Sequence, residues 1–547
     1  MTTSVNDGTA PTAVATTPAR PTSRGVRYAC VGAFLLAVAF FAFVRVRLRN
    51  MPLERDEGEY AYMGQLMLQG IPPYQLASNM KLPGTYAAYA AIMAVFGETA
   101  GGIRIGLMLV TTAAAVLVFF LGKHLYGPLT GSIAGITYLF LAARPGVLGI
   151  DGHATHFVVL MVLTGILLLF QAIERGMRSL FFASGLLFGL AFLMKQPGIL
   201  FAVFAGVYGL YRERKRPADW RDIRLRGAAF VCGTALPYVL TSLWLLRAGV
   251  FPKFWFWTWS YAREYGRINN LPAGWGYLQL TLPWGLRPFV LWELAVIGLT
   301  APLWSRSARA QWGFVVGFFF TSCLAVCIGL YFRPHYFIML LPAAALCMGI
   351  AVESAQKKLR DLNLGRLASL PVLYFAVVYV IAVQSQWTTF LRLDPVPLSR
   401  KVHYDQPYAD AVVIADFIKA HSTPHDQIGI IGSEPEICFY THLRCASSYL
   451  YMYPLMEEQR FAKQMQDDVM HELERTRPRF LVYVDDERSW SWRPTLARNH
   501  SFFERAWNFA HTGYELVDQV AAPDTGMDPG QLWSEHARLY LFQRRDQ

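Results

Sequence analysis

The sequence predicts a polytopic α-helical membrane protein of about 11 transmembrane helices, followed by a C-terminal extracytoplasmic α/β domain. Three observations carry this class. Of 547 residues, 54% are hydrophobic and 16% charged, against about 25% charged in soluble proteins. The apolar residues gather into runs close to the roughly 20 residues that a bilayer helix needs. The charge is also divided, with 33 Lys and Arg against 15 Asp and Glu in residues 1–390, and 17 against 23 in residues 391–547. A net charge of +12 in a soluble protein would suggest nucleic acid as a partner, but here the basic excess lies in the hydrophobic part, where it sets orientation. No nucleic-acid partner is expected. Seven cysteines are too few for a disulfide scaffold.

Residues 1–27 begin as a Thr-, Ala- and Pro-rich stretch that cannot bury enough surface to fold, and read as a disordered cytoplasmic tail. The apolar run 28–46 follows Arg20, Arg24 and Arg27. It resembles a signal peptide with a small-residue site at Ala37-Val38-Ala39, but it continues through Phe40 to Val44 and reads as an uncleaved anchor. Ten further apolar segments fall near 103–121, 130–143, 154–171, 179–194, 197–211, 228–247, 286–304, 312–331, 336–352 and 368–388. With the N-terminus inside, the short basic loops share one side, and Arg45, Arg47 and Arg49 form a contrary cluster on the other. Three long outer segments result: 47–101, 248–285 and the tail from 391. Function is expected there, on loops held by a rigid scaffold. In the tail, Tyr408–Ala420 and Glu457–Arg475 read as helices. Gln427–Gly432, Phe480–Val484, 515–520 and 537–543 read as strands, an alternation that suggests a three-layer α/β domain. Its Ile431-Gly432-Ser433 turn lacks the glycines of a dinucleotide fingerprint.

Several outer residues suit chemistry. Arg55-Asp56-Glu57-Gly58-Glu59-Tyr60 is the most acidic stretch of the first 390 residues. A carboxylate near apolar walls can take a proton from a hydroxyl, although acidic residues also simply favour a helix start. Lys81, Lys195 and Arg333 each stand among apolar residues at an outer boundary without a clear local counter-charge. They suit a bound phosphate if they converge, or snorkelling to headgroups if they do not. Asp151-Gly152-His153-Ala154-Thr155-His156 fits either a divalent-metal site or hydrogen bonding to a substrate. The aromatic run Phe251–Tyr261, with Trp255, Trp257 and Trp259, suits both sugar stacking and interface anchoring. Cys438 and Cys445 lie where oxidising conditions would allow a disulfide; the residues alone leave that pairing open.

Taken in order, these motifs resemble a family. Asp56-Glu57-Gly58-Glu59-Tyr60-Ala61, Lys81-Leu82-Pro83-Gly84 with Phe96-Gly97 and Arg104, Leu193-Met194-Lys195-Gln196-Pro197-Gly198, Arg333-Pro334-His335-Tyr336 and Gly432-Ser433-Glu434-Pro435-Glu436 are similar to bacterial GT-C glycosyltransferases of the family 39 type, the protein O-mannosyltransferase-like and aminoarabinose-transferase-like group. The resemblance covers residues 50 to 460. It implies a transmembrane core over 28–390, a catalytic loop over 47–101 and a further domain over 391–547. It also implies a multi-pass enzyme of the cell (inner) membrane that transfers a sugar from a polyprenyl-phosphate donor, by inverting displacement, to a glycan, glycolipid or protein acceptor. Asp56, with Glu57 beside it, maps onto the catalytic base, and Lys81 and Lys195 onto the phosphate contacts, which Arg333 is expected to join as a further isolated cation. Tyr60 maps onto a substrate contact, with Tyr331, His335 and Tyr336 as further expected contacts; Asp151 and His153, which have no clear family counterpart, are expected substrate contacts on their residue types alone. A divalent metal is the one cofactor left open. Two rival readings are a transporter or lipid flippase, which would favour internal repeats and polar midplane helices, and a non-catalytic assembly protein with a GT-C-like core.

Overall fold

A computed structural model of the chain describes residues 24–216, 219–287, 289–491, 497–521 and 538–545. The predicted N-terminal tail lies outside them up to Ser23. The hydrophobic part is a bundle built from α1 (Arg24–Arg47), α2 (Arg55–Leu68), α3 (Gly84–Phe96), α4 (Ala100–Leu125), α5 (Pro128–Leu141), α6 (Ala154–Arg175), α7 (Arg178–Met194), α8 (Gly198–Arg214), α9 (Trp220–Arg247), α10 (Leu271–Leu286), α11 (Phe289–Trp304), α12 (Trp312–Cys327), α13 (Leu341–Asp361) and α14 (Leu370–Ser385). All eleven predicted apolar segments fall on helices. Among the described residues, seven helices are long and apolar enough to cross a membrane, or eight if α10 and α11, bent by 100°, count as one span. The count of eleven exceeds what length supports because α5, α7 and α8 have only 14 to 17 residues.

The helix at the centre is α13, entered through a 3-10 turn from Pro334 and buried from Leu341 to Ser354. Its Ala343, Ala344, Ala345 and Gly349 admit close neighbours, and on the facing α11 a Cβ at Gly298 would meet the Cys347 carbonyl oxygen at 1.8 Å. Small residues let membrane helices approach at backbone distance where lipid offers no hydrophobic drive between them. Peripheral helices instead expose large apolar side chains, such as Leu240, Leu243 and Leu246 of α9 and Val377, Val380 and Ile381 of α14. The contrary basic cluster has a local cause. Arg45 donates to the carbonyls of Ala142 and Gly149 at 2.9 Å each, and Arg47 to that of Leu393 at 2.7 Å. These two guanidinium groups satisfy loop carbonyls at the end of the bundle.

The C-terminal part is the predicted three-layer domain. Its sheet has the order β2-β1-β3-β5-β4, formed by β1 (Gln427–Ile431), β2 (Arg444–Cys445), β3 (Phe480–Asp485), β4 (Tyr514–Ala521) and β5 (Arg538–Arg544). β1 pairs in parallel with β2 and β3, while β5 pairs antiparallel with β3 and β4. Alternation along the strands separates two cores. Ile428, Ile430, Val482, Val484, Leu539 and Leu541 join α15 (Tyr408–His421) and the membrane core. Leu481, Tyr483 and Phe542 join α17 (Ala462–Thr476) and α18 (Ala497–Gly513), which lie beyond α16 (Glu436–Thr441). The predicted helix 457–475 starts five residues later, because Tyr453–Met456 forms its own turn. Cys438 and Cys445 are disulfide-bonded.

The domain sits directly on α2. A Cβ at Gly58 would lie 2.6 Å from the Glu436 backbone nitrogen, so the absence of a side chain there sets how closely α2 and α16 pack. α2 begins where it does because Glu54 caps it. Its carboxylate accepts from the Glu57 N–H at 3.0 Å, and Glu57 Oε2 accepts from the Glu54 N–H at 3.2 Å, a reciprocal capping box.

Candidate active site

Where α2, the loop to α3, the α7–α8 turn, the 3-10 turn at Pro334 and the α/β domain converge, a cavity of about 480 Å³ opens. Asp56, Tyr60, Lys81, His153, Lys195, Arg333, His335 and Tyr336 line it. Eight of the eleven predicted site residues therefore meet, from segments up to 280 positions apart.

Asp56 is at the centre. Its Oδ1 accepts from Lys81 Nζ at 2.7 Å and from the Tyr451 hydroxyl at 2.9 Å. Its Oδ2 lies 3.5 Å from His153 Nδ1 and 3.9 Å from His335 Nε2. Burial alone would raise the Asp56 pKa, but the Lys81 charge, with the imidazoles of His153 and His335 close by, holds it well below the usual carboxylate range. Lys81 is shared with buried Glu59, at 2.6 Å, which also accepts from the Tyr86 hydroxyl at 2.7 Å. Lys81 Nζ also lies 4.6 Å from the Tyr60 ring centre and 5.1 Å from that of Tyr451. Lys195 and Arg333 differ from Lys81, since among the described residues neither has a carboxylate within 4.0 Å. Lys195 Nζ lies 4.0 Å from the Tyr336 ring centre, and Arg333 sits between the rings of Tyr331 and Tyr453. Burial lowers the Lys195 pKa to about 7.

Three predicted residues stand elsewhere. Glu57 does not face the cavity beside Asp56. It accepts from Arg104 at 2.7 Å and from the Gly152 N–H at 2.6 Å, on the far face of α2. Asp151 joins the same buried network, 3.3 Å from Arg104 and 3.7 Å from His403. Together they lock α2, α4 and the loop before α6. Tyr331 stacks on Tyr265 at 4.4 Å and does not line the cavity. Helical spacing holds the signal that separates these roles. Asp56, Glu59 and Tyr60 are i, i+3 and i+4 on one face, and Glu57 is not.

The α/β domain completes the wall with Tyr451, Tyr453, His403, Glu457 and Arg488. Arg55, next to Asp56, reaches into it. Its guanidinium donates to Glu434 Oε1 at 2.8 Å, to the Ser433 carbonyl and to the Tyr453 hydroxyl. Glu434 stood in the sequence only as part of a motif, and nothing local paired it with Arg55.

Asp56, His153 and His335 are the described group whose donor atoms, all within 4.8 Å, offer a metal three ligands. Among the described residues, neither buried ring nitrogen of His153 has a hydrogen-bond partner. The two imidazoles stack with centres 4.0 Å apart and planes 16° from parallel. Their in-plane lone pairs thus run side by side, and one ring must turn to share an ion.

The site is thus a set of cations and a carboxylate gathered where a small α/β domain caps a helical membrane bundle. Residues 81–241 match the family model described as dolichyl-phosphate-mannose-protein mannosyltransferase. The chain is 30% identical over 282 residues to the undecaprenyl phosphate-alpha-4-amino-4-deoxy-L-arabinose arabinosyl transferase of Pseudomonas aeruginosa strain UCBPP-PA14, covering 47% of this chain and 49% of that one. A second such transferase, from strain PAO1, matches with the same identity and coverage. The chain spans about half the length of the curated relatives it matches. Among solved structures, ArnT from Cupriavidus metallidurans bound to undecaprenyl phosphate superimposes with a TM-score of 0.55 at 15% identity, over 95% of this chain and 98% of that one.

Proposed function

We propose that the protein is a membrane glycosyltransferase that moves a sugar from a polyprenyl-phosphate donor to an acceptor hydroxyl with inversion. One observation carries the reading: Lys195 and Arg333, half-buried and without carboxylate partners among the described residues, face the same cavity as Asp56. Unpaired cations in a low-dielectric pocket are an anion site. The Cupriavidus ArnT binds undecaprenyl phosphate, and the Pseudomonas relatives are named for an undecaprenyl phosphate-linked sugar, which supports a polyprenyl phosphate as that anion.

In the proposed step, Asp56 takes the proton of the acceptor hydroxyl, whose oxygen attacks the anomeric carbon from the face opposite the phosphate. The bond from carbon to phosphate oxygen breaks, and its electron pair leaves with the polyprenyl phosphate, stabilised by Lys195, Arg333 and Lys81. Lys81 couples the two events. When the phosphate draws its ammonium away from Asp56, the largest influence lowering the Asp56 pKa weakens and the carboxylate becomes a stronger base. Glu59 remains as the second anchor of Lys81.

The reading extends to topology: the N-terminus cytoplasmic, the α/β domain outside, the chain in the inner cell membrane. The basic short loops support it, as does the Cys438–Cys445 disulfide, which suits an oxidising compartment. The acceptor is a hydroxyl on a glycan, glycolipid or protein.

The test is transfer by the purified full-length protein from labelled polyprenyl-phosphate sugars to membrane extracts, with mass spectrometry of glycolipids and glycoproteins from cells with and without the gene. One sugar missing in the deletion supports the reading; transport of donor without covalent product overturns it. The low pKa of Lys195 adds a pH dependence. Its ammonium is present below pH 7 and is lost as pH rises through about 7, so donor KM is expected to rise several-fold between pH 6 and 8.5. Lys195→Arg should flatten that rise, as a donor titration at each pH will show.

A divalent ion on Asp56, His153 and His335 is a second element, favoured by the buried ring nitrogens of His153, which make no hydrogen bond among the described residues. It would supply Lewis-acid stabilisation of the departing phosphate. Under it, chelator treatment abolishes transfer, added zinc or manganese restores it, and His153→Ala loses stoichiometric metal in elemental analysis.

A further inference from the structure

The aromatic run after α9 meets the site described above through Tyr261 alone among its described residues. Its π-helical turn Phe256–Tyr261 divides it. Trp255 and Trp259 stack on each other at 5.5 Å and stay 47% and 46% exposed, as interface anchors would. Trp257 is 5% exposed and turns toward the α/β domain. There it helps line a second cavity, of about 330 Å³, between the run, Ser78 and α17.

The walls of this cavity are rings. Phe256 packs against Phe461 at 4.9 Å, and Trp257 against Tyr449 at 5.7 Å. The rim is polar. Gln464, His471 and Arg475 line it without a hydrogen bond among the described residues, whereas Glu472 and Asp468 are committed to Ser447, Ser448 and Tyr449. An acyl chain would need a continuous apolar groove. Aromatic faces bordered by an unengaged amide, imidazole and guanidinium match the two sides of a pyranose or furanose, its C–H face and its hydroxyls.

Two connections join this cavity to the first. Ser78, bonded through its N–H to the Ser448 carbonyl at 2.9 Å, lines the second cavity, and Lys81 lines the first. Three residues reach at most about 11 Å, a span that a short oligosaccharide can bridge. Trp257 also packs on Tyr261, whose hydroxyl donates to Glu457 at 2.7 Å in the wall of the first cavity.

We propose that the cavity between the π-helical turn and α17 is a subsite for a sugar residue of the acceptor, beyond the attacked hydroxyl. The inference rests on the sugar-transfer reading and makes the acceptor's recognised portion carbohydrate. Its test uses the full-length protein in detergent, titrated calorimetrically with mannotriose, arabinotriose and chitotriose. At least one should bind saturably, and Phe461→Leu, Gln464→Ala and His471→Ala should each weaken it about tenfold. The melting temperature and the hydrolysis of donor to water should be unchanged in the Gln464 and His471 variants, while acceptor KM rises. No saturable binding, or equal affinity in all variants, overturns the subsite. Groove-dependent trisaccharide binding by a protein that turns over no donor would leave the subsite standing and remove the sugar-transfer reading.

Discussion

Asp56→Asn is expected to reduce sugar transfer by about a thousandfold, the usual scale for removing a positioned general base, with polyprenyl-phosphate binding and membrane insertion retained. The amide keeps the size and hydrogen-bonding capacity needed to face Tyr451 and His153, so the loss would isolate proton transfer. The same substitution removes the negative charge on which Lys81 is held. Donor affinity should therefore stay or improve while kcat collapses, and single-turnover kinetics with separately measured donor binding will show the split. Transfer at the wild-type rate would exclude Asp56 from the chemistry. Glu57→Gln is the contrasting variant. Its carboxylate serves Arg104 and the Gly152 N–H, so a loss there should appear in the melting temperature before it appears in kcat.

Arg55→Met is expected to be the most destabilising single change near the site. Arg55 and Glu434 are 7% and 0% exposed on their side chains and pair at 2.8 Å. Breaking one partner of a buried pair leaves an uncompensated charge, at a cost of about 3 to 5 kcal/mol. The change should loosen the α/β domain from α2, measurable as a lower unfolding midpoint and as faster protease nicking of the domain. Arg55→Met with Glu434→Met should recover much of the stability, because the stranded charge is gone. Transfer should fall in the single variant even below its unfolding temperature, since Tyr451 and Tyr453 enter the cavity from that domain. An unchanged midpoint would show the pair to be dispensable. The domain is thus a wall of the cavity, and a purely partner-binding role for residues beyond 391 would have left the cavity intact without them.

Much of this was legible in one dimension. The bilayer imposes a length and an apolar composition on each spanning helix, and these local constraints placed all eleven apolar segments on helices. Short continuous apolar runs between polar turns did the same for β1 and β3, which are buried along nearly their whole length. Single cations among apolar residues, such as Lys81, Lys195 and Arg333, stood out because an isolated charge at a membrane boundary needs a reason.

The fold alone decided which residues act together. Asp56 and Glu57 are adjacent in sequence, yet about 100° of helical turn sends one into the cavity and the other into the Arg104 network. Tyr331, beside a correctly placed Arg333, is taken up by stacking on Tyr265. Arg55 meets Glu434 across 379 positions, and Cys438 pairs with Cys445 only because α16 turns back into β2. Membrane class and charge placement follow from solvation, which each residue meets locally. Partnership follows from packing, which brings together groups that carry no local mark of one another.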